Sequence, residues 1–357
     1  MKNFNPPQKQ LGTVLITVVL IAAFVIVLVV ESIKTVKYQK QLSNNLIHRD
    51  QAYSYLMGME ELAKILLKRA FDATDEDTVH LNQPWAQEDI TFPIDGGLMT
   101  ATIKDMQSCF NLNSITRPAE QENNNQIRNP VPDSDSSSNG GGLSKSPTGG
   151  APPTPGQETF EEIISQTLEN TDIQADELAI SFRDWVDDDI EPTDHRGAED
   201  DYYLVMDPPY RTPNGPIAHI SELVTVKGFS HKSLNQLKPY ICVLPNETDQ
   251  ININTVEEEN ALLIQAVLNS RSISLADVKR GLAERGEEGF KEVSEFTERL
   301  GQKGKGKGNE GRLSVTSKYF EVSAQAEIGG TRVAMKTLFE RDDENNFSIV
   351  SRYFGRE

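Results

Sequence analysis

Residues 13–30 read TVLITVVLIAAFVIVLVV, a run of 18 residues without a charge that Glu31 ends. An α-helix of this length is roughly 27 Å long, close to the hydrocarbon thickness of a bilayer. The preceding residues 2–12 (KNFNPPQKQLG) carry two lysines and no acid. Because the basic flank of a membrane helix stays in the cytoplasm, we expect everything after Glu31 to lie outside the inner membrane.

Gly12, the small residue that a peptidase could recognise, lies on the N-terminal side of this helix. A secretory signal peptide would be cut after its apolar core, but the sequence there is Val29-Val30-Glu31, with no A-x-A-like site. Cleavage between Gly12 and Thr13 would instead remove a leader at 1–12 and leave the helix on the mature chain. That layout resembles a type IV prepilin or pseudopilin, cut by a prepilin peptidase. An uncleaved single-pass anchor remains the alternative.

The fifth residue of such a mature chain is Thr17. Major pilins and most pseudopilins carry glutamate there, and its carboxylate would pair with the N-terminal ammonium of a neighbouring subunit inside the membrane, where an unpaired charge is costly. A subunit that lacks this acid cannot draw itself onto a subunit above it, but it can offer its amine to the subunit below. Thr17 therefore predicts a position at the tip of a filament.

Composition limits the possible functions. The chain has 357 residues, a net charge of −19 and a pI near 4.8. This acidity argues against nucleic-acid binding, which needs a basic surface. Cys109 and Cys242 belong to no CxxC pair or Cys/His cluster, so a zinc or redox site is not expected. In an oxidising periplasm they would form one disulfide, and two buried free thiols are the alternative.

The pattern of apolar residues predicts an α+β chain. Helical spacing without proline continues past Glu31, which predicts one spine helix over Thr13–Arg69. Hairpins are predicted at Ile90–Ile94 with Leu98–Ile103, and at Tyr319–Ile328 with Thr331–Arg341. The segment 250–255 alternates and could return to the sheet. The resulting division is a leader (1–12), a membrane helix (13–30), a spine and first strands (31–120), a flexible loop (121–157), an inserted helical domain (158–312) and closing strands (313–357).

The densest acidic stretch runs from Asp184 to Tyr203. Clustered carboxylates repel one another unless a cation neutralises them, and Ca²⁺ takes roughly six to eight oxygen ligands. The EF-hand spacing is not met, since counting from Asp187 no glycine falls sixth and no acid twelfth. A solvated acidic loop is the alternative. Paired carboxylates also occur in glycosidases, but nothing else in the sequence builds a sugar site.

A glycine turn at residues 223–230 (LVTVKGFS) looks like a helix-hairpin-helix or SAM-like turn. Such turns often bind DNA phosphates, but this chain is acidic and the turn is expected outside the cytoplasm. We therefore interpret it as a helical packing unit. The glycine-lysine run at 301–308 lacks the spacing of a phosphate loop.

Several motifs, taken together and in order, resemble the general secretion pathway protein K family, the largest minor pseudopilins of the type II secretion system. Besides the Gly12-Thr13 junction and the missing acid at Thr17, the motifs are FNLN (110–113), DWVDDD (184–189), GAEDDYY (197–203), PPYR (208–211), SEL (221–223), LKPY (237–240), ININT (251–255) and SKYF (317–320).

The resemblance implies a pilin-like fold, in which a long spine helix packs on an antiparallel sheet and a large all-α domain is inserted into that sheet. It implies no enzymatic activity but assembly with the minor pseudopilins I and J, as a tip complex on the filament of the major pseudopilin. It also implies one or two calcium ions in the acidic region. We expect their ligands among Asp187, Asp189, Glu191, Glu199, Asp200 and Asp201.

The expected location is the inner membrane, crossed once, with a cytoplasmic N-terminus and a periplasmic C-terminal domain. Amine methylation would fall on Thr13, whose hydroxyl departs from the family pattern. Contacts with secreted cargo or with the outer-membrane secretin are compatible with this place. The alternatives are a minor pilin that initiates a type IV or competence pilus, and a single-pass membrane-anchored periplasmic binding protein.

Leader processing separates the filament subunits from the anchored binding protein. Mature protein from native membranes is expected to begin at Thr13, because Gly12 precedes the apolar helix in the way that a prepilin peptidase requires. Intact mass and N-terminal sequencing measure this directly. A mature chain that still begins at Met1 would contradict the pseudopilin interpretation.

Overall fold

The computed structural model describes residues 11–73, 77–87, 90–118, 152–168, 173–246, 248–269, 273–301 and 310–355. Residues 1–10 of the expected leader, most of the expected loop 121–157 and most of the glycine-lysine run therefore lie outside the described residues.

The long helix α1 spans Leu11–Asp72, so the expected spine is confirmed with a few residues more at each end. Among the described residues it is the one helix long and apolar enough to cross a membrane. From Val14 to Val30 its apolar side chains are exposed, which is what a segment that faces lipid requires.

After α1, nine strands and seven further helices follow in the described part of the chain. The strands are β1 (Ile90–Ile94), β2 (Gly97–Asp105), β3 (Phe110–Asn111), β4 (Ile241–Cys242), β5 (Ile251–Asn252), β6 (Leu313–Ser314), β7 (Tyr319–Ile328), β8 (Thr331–Arg341) and β9 (Phe347–Phe354). The helices are α2 (Pro155–Thr167), α3 (Ala175–Val186), α4 (Asp200–Tyr203), α5 (His231–Leu237), α6 (Ala261–Leu268), α7 (Leu275–Ala283) and α8 (Val293–Arg299).

The main sheet has the order β1-β2-β7-β8-β9, and every neighbouring pair is antiparallel. Both expected hairpins are confirmed. Strand β9 was not predicted. Most of its residues are exposed, so apolar and polar residues do not alternate along it as they do in a strand with one buried face. The pairing of β2 with β7 brings Asp105 opposite Phe320. Everything between these two strands is therefore an insertion into one sheet.

The segment 250–255 does not return to the main sheet, and that prediction was wrong. Its first residues form β5, which pairs in parallel with β6 as a separate two-stranded sheet. The strand ends after two residues because the side chain of Asn252 accepts the backbone N–H of Asn254 at 2.9 Å, which is an Asx turn. The Thr255 N–H then donates to the Asn252 carbonyl at 3.2 Å, which completes the turn.

One face of α1 covers the sheet. Its fully buried residues Ala52, Leu56, Met59, Ala63 and Leu67 recur every three or four positions and form the core with β7 and β8. Glu60 is buried on the same face.

The Glu60 carboxylate accepts the guanidinium of Arg352 at 2.5 Å and the hydroxyl of Thr337 at 2.7 Å. Burial raises the pKa of Glu60, but the hydrogen bonds and charge of its partners outweigh that effect and hold the pKa below its usual value. This ion pair ties strand β9 to the spine.

The inserted helices have a core of their own. Phe160 on α2 stacks against Phe110 at 5.9 Å between ring centroids and meets Phe182 of α3 edge-on at 5.4 Å. Helix α6, which is buried along almost its whole length, packs against α2 and α7. The insertion is therefore a compact helical unit, with its own hydrophobic core beside that of the spine and sheet.

A disulfide lies at the join between the two units. Strands β3 and β4 pair in parallel, and Cys109 and Cys242 are bonded there, with their Cα atoms 5.8 Å apart. The expected disulfide is confirmed, and the alternative of two free thiols is wrong for this structure. The bond spans 133 residues of sequence, so it links the segment that leaves the sheet to the far part of the insertion.

Candidate functional site

Helix α3 delivers the acidic stretch. Its sequence ADELAISFRDWV places apolar residues on one face, which packs into the core of the insertion. The helix ends at Val186, and the Asp187 N–H donates the last helical hydrogen bond to the Arg183 carbonyl at 2.9 Å. The chain then forms a loop that returns to the short helix α4.

Asp184 organises this loop from inside. It is fully buried, and its carboxylate accepts the backbone N–H groups of Thr193 at 3.0 Å and Ala198 at 2.9 Å. Gly197 lies so close that a Cβ there would come 1.9 Å from Asp184 Oδ2. Burial raises the pKa of Asp184, although these hydrogen bonds oppose the shift. Asp184 therefore acts as the anchor of the loop.

Three of the six expected ligands come together in the loop. Asp187, Asp189 and Glu199 each offer a carboxylate oxygen, and these atoms lie within 4.8 Å of one another. Glu199 is only 3% exposed, whereas Asp189 is exposed. The arrangement could hold a metal ion.

Unpaired oxygens support a fit between this cluster and a cation. Asp187 Oδ1 and Glu199 Oε1 are both buried and accept no hydrogen bond from the described residues. Buried carboxylate oxygens are costly when nothing compensates their charge. A hard divalent ion, which prefers carboxylate oxygens, would supply that compensation.

The electrostatics of the cluster lead to the same conclusion. Burial, together with the charges of Asp184 and Asp189, raises the pKa of Asp187 to about 7. Burial and the charges of Asp184 and Asp187 raise the pKa of Glu199 to about 7 as well, against the hydrogen bond from Thr212. A bound cation would reverse these shifts, because it favours the ionised form of each ligand.

The other three expected ligands have different surroundings. Glu191 is exposed and approaches the cluster through its backbone, whose N–H donates to Asp189 Oδ1 at 2.9 Å. Asp200 pairs with Arg211 at 3.1 Å and accepts the Thr212 N–H at 3.2 Å. Asp201 is exposed. The structure does not bring these three into the group formed by Asp187, Asp189 and Glu199.

Two residues of the site were not found from the sequence. The Thr212 hydroxyl lies 3.2 Å from both Glu199 Oε2 and Asp200 Oδ1. The Asn214 amide donates to the backbone carbonyl of Asp189, while its Oδ1 is buried without a hydrogen-bond partner among the described residues. Asn214 has a φ of 46°, and the Asn214-Gly215 pair was the available signal, since it favours such turns. A neutral amide oxygen is also a ligand that Ca²⁺ accepts.

An aromatic cluster supports the site from behind. Trp185 lies 5.0 Å from Tyr203 and 6.2 Å from Tyr210 between ring centroids. The Tyr210 hydroxyl donates to the Thr225 carbonyl at 2.9 Å, and the Tyr203 hydroxyl accepts the Lys227 N–H at 3.2 Å. These contacts join the acidic loop to the glycine turn that follows.

The glycine turn itself is packed against α3. Gly228 has a φ of +84°, and a Cβ there would come 2.5 Å from Leu178 and 2.8 Å from Ile173. The Ser230 side chain then caps α5. This contact supports the interpretation of the turn as a packing unit.

Comparisons with known proteins give a consistent result. Two family models, both described as type II secretion system (T2SS), protein K, match residues 108–246 and 251–316. The chain is 33% identical over 349 residues to type II secretion system protein K of Aeromonas hydrophila, covering 98% of each chain. It is 31% identical over 353 residues to the protein of that name from Klebsiella pneumoniae, covering 98% of this chain and 97% of that one.

A solved structure extends these similarities to the fold. The crystal structure of the GspK–GspI–GspJ complex of the enterotoxigenic Escherichia coli type 2 secretion system contains a chain that matches with a TM-score of 0.68 and 25% identity. The match covers 88% of this chain and 99% of that one. It supports the pilin-like fold with its inserted helices.

The raised pKa values predict how stability depends on pH in the metal-free protein. An acid whose pKa is higher in the folded state binds more protons when folded, so stability falls as pH rises from the unfolded value toward the folded one. For Asp187 and Glu199 this window runs from their ordinary values of 3.8 and 4.5 to about 7. We expect the melting temperature measured in chelator to fall between pH 5 and pH 7, within that window.

The control is Glu199→Gln, which removes one of the two titrating groups and should make that slope shallower. Saturating divalent cation should also reduce the slope, because it holds both carboxylates ionised. A melting temperature in chelator that has the same pH slope in the native chain and in the variant would contradict the prediction.

Proposed function

The chain belongs to the type II secretion system protein K family, and we propose that it is the minor pseudopilin that caps the periplasmic pseudopilus together with the I and J minor pseudopilins. The observation that carries this proposal is the structural match, over 88% of this chain, to a chain of a complex of K, I and J subunits. Relatives that match over nearly the whole length, among them the Aeromonas hydrophila protein, speak against a pilus subunit or a binding protein.

The spine helix provides a surface for the partners. Beyond the membrane run, the apolar side chains of Ile33, Val36, Leu42, Leu46 and Ile47 remain between 46% and 60% exposed. With roughly 3.6 residues per turn, Leu42 and Leu46 lie on one face of the helix, whereas Ile33, Val36 and Ile47 lie on another. Apolar surface left in water usually marks an interface. The spine helices of I and J are the natural occupants of these two faces, because apolar faces of adjacent helices bury one another.

Two features support the place at the tip. The hydroxyl of Thr17 donates to the Val14 carbonyl of its own helix at 2.9 Å, so this position offers no charge to a subunit above. The inserted helices between β3 and β7 add a bulky unit, which would prevent close stacking of another subunit. Capping and initiation are mechanical roles, and we assign no catalytic residue.

We further propose that the prepilin peptidase cuts between Gly12 and Thr13 and that Thr13 becomes the methylated N-terminus. The helix would cross the inner membrane once, with its N-terminus in the cytoplasm and the sheet and inserted helices in the periplasm. From that place the cap could reach secreted cargo or the outer-membrane secretin.

Co-purification tests the assembly. Full-length chain expressed with the I and J minor pseudopilins of its own secretion system is expected to elute as one ternary complex in detergent. Leu42→Glu with Leu46→Glu should reduce the I and J recovered, because the charges would have to be buried between helices. Val205→Glu, at an 80% exposed position of the insertion, is the control and should leave recovery unchanged.

Failure of the native chain to retain either partner would contradict the tip assignment. Equal recovery from the spine variant and the control would instead contradict the proposed role of the helix face that carries Leu42 and Leu46.

The metal that we propose for the cluster is calcium. The cluster offers hard oxygen donors from Asp187, Asp189 and Glu199, and Asn214, whose amide contacts the Asp189 carbonyl, has a buried Oδ1 without a hydrogen-bond partner among the described residues. The loop is irregular, and Ca²⁺ tolerates irregular geometry where Mg²⁺ demands a near-octahedral one. Bound calcium would offset most of the negative charge of the cluster and fasten the loop between α3 and α4. Glu191, Asp200 and Asp201 remain proposed as further ligands, for the same ion or a second one.

Calcium addition is expected to raise the melting temperature of chelator-treated full-length protein, because a ligand of the folded state stabilises it. Glu199→Gln should reduce that rise, and should weaken Ca²⁺ binding by about tenfold or more, as the loss of a carboxylate partner from a charged site costs more than 1.4 kcal/mol. Asp188→Asn removes the same charge from an exposed neighbour that is not in the cluster and serves as the matched control.

A response to Mg²⁺ equal to that for Ca²⁺ would contradict the assignment of the ion. A Glu199→Gln protein that binds Ca²⁺ as tightly as the control would contradict the assignment of the site.

A further inference from the structure

The buried carboxylate of Asp105 lies where the inserted helices join the sheet. Asp105 is the last residue of β2, only 2% of it is exposed, and it has no part in the acidic loop. Charged side chains are rarely buried to this extent without a partner of opposite charge. Its contacts therefore require an explanation that neither the spine nor the cation cluster provides.

Four donors converge on this carboxylate. Oδ2 accepts the hydroxyls of Thr255 and Ser317, each at 2.6 Å, and the Asn252 amide at 3.2 Å. Oδ1 accepts the backbone N–H of Gln107 at 2.8 Å. Thr255 and Asn252 belong to the insertion, Ser317 lies in the segment that returns to β7, and Gln107 lies in the segment that leaves β2.

The same hydrogen bonds continue to the end of the spine. The Asn252 amide also donates to the Val79 carbonyl at 3.0 Å and to the Ser317 hydroxyl at 2.8 Å. Val79 N–H in turn donates to the Val315 carbonyl at 2.8 Å. Through Asn252 the carboxylate thus connects the segment after α1, the outgoing segment, the insertion and the returning segment.

The chemistry of this position calls for a carboxylate. An ionised carboxylate only accepts hydrogen bonds, and every contact made by Asp105 comes from a donor. An asparagine has only one acceptor oxygen, so in either orientation its NH₂ group would face a donor, either the Gln107 N–H or the Asn252 amide. Burial is the largest effect and leaves the pKa of Asp105 raised, although these hydrogen bonds and the nearby charge of Arg341 oppose the shift. Burying a carboxylate costs free energy, and only correctly placed hydrogen-bond donors offset that cost. A buried polar group can therefore favour one arrangement of the segments around it.

We propose that Asp105 is the positioning residue of this junction, and that its buried carboxylate holds the inserted helical unit in one orientation on the sheet and spine. Two chain crossings, next to β3 and β6, connect the unit to the sheet. Relative motion is the default for units joined in this way unless their interface prevents it. With the junction intact, the membrane helix and the cation cluster move as one body. The proposal is independent of the proposed function.

A distance measurement between the two units tests the proposal. Spin labels are placed at Lys279→Cys on α7 and Arg332→Cys on β8, both exposed positions of the full-length chain in detergent. The native cysteines are bonded to each other, so they do not take up the label. We expect the labelled parent chain to give one narrow distance distribution. Asp105→Asn should shift it or broaden it about twofold, because the unit is then free to reorient.

Two matched pairs of variants separate positioning from ordinary destabilisation. Glu60→Gln makes the same carboxylate-to-amide change at the buried ion pair between the spine and β9, and should lower the melting temperature without changing the distance distribution. Thr255→Val removes one hydroxyl donor at the junction and should broaden the distribution. Thr159→Val removes a buried hydroxyl that bonds Arg312 inside the insertion and should not.

The Thr255→Val pair keeps the test decisive if Asp105→Asn does not fold. The proposal would be overturned if the junction variants keep the narrow distribution and only melt earlier, since the disulfide and apolar contacts would then suffice to fix the orientation. Equal broadening in the Glu60→Gln or Thr159→Val controls would overturn it as well.

Discussion

The antiparallel pairing of β2 with β7 is the constraint on which the rest of the structure depends. These strands are adjacent in space, although Asp105 at the end of β2 and Ser317 just before β7, which are hydrogen-bonded to each other, are 212 positions apart in sequence. An insertion of this size can be accommodated only if the chain leaves and re-enters the sheet at the same end of the two strands. The disulfide and the Asp105 carboxylate both lie at this point, where the entropy of closing a long loop would otherwise oppose the pairing.

The periodic parts of the fold could be predicted from the sequence. The spine was predictable because apolar residues recur at helical spacing across an uncharged run and an amphipathic half, and the hairpins because Gly-containing turns separate alternating strands. Strand β9 could not be found in this way, because its stability comes from pairing with β8 and from the Glu60–Arg352 contact rather than from its own pattern. The sheet that β5 joins could not be predicted either, because the residues that bond Asn252 come from segments far away in sequence.

The acidic region shows how far composition can locate a site. The charge density predicted a cation cluster, and three of the six candidates do come together. The sequence could not show which acids bind a cation and which hold the loop together. The oxygens of Asp184 accept backbone N–H groups, whereas Glu199 keeps one buried oxygen without a hydrogen bond. That distinction depends on where the loop turns, which Gly197 and Asn214 determine through contacts that no local pattern reveals.

The two buried acids Asp184 and Asp105 both hold parts of the chain together by accepting hydrogen bonds. Each accepts donors from segments that would otherwise be free to separate, and in each the donors are neutral rather than cationic. A cationic partner would add attraction that depends little on direction, whereas several short hydrogen bonds to one carboxylate fix angles as well as distances. For a subunit whose role is mechanical, fixed angles matter more than stability alone. A helix anchored in a membrane can move a distant surface in a defined direction only if every joint between them is rigid, and Asp105 lies at the joint where two chain crossings connect the inserted helices to the sheet.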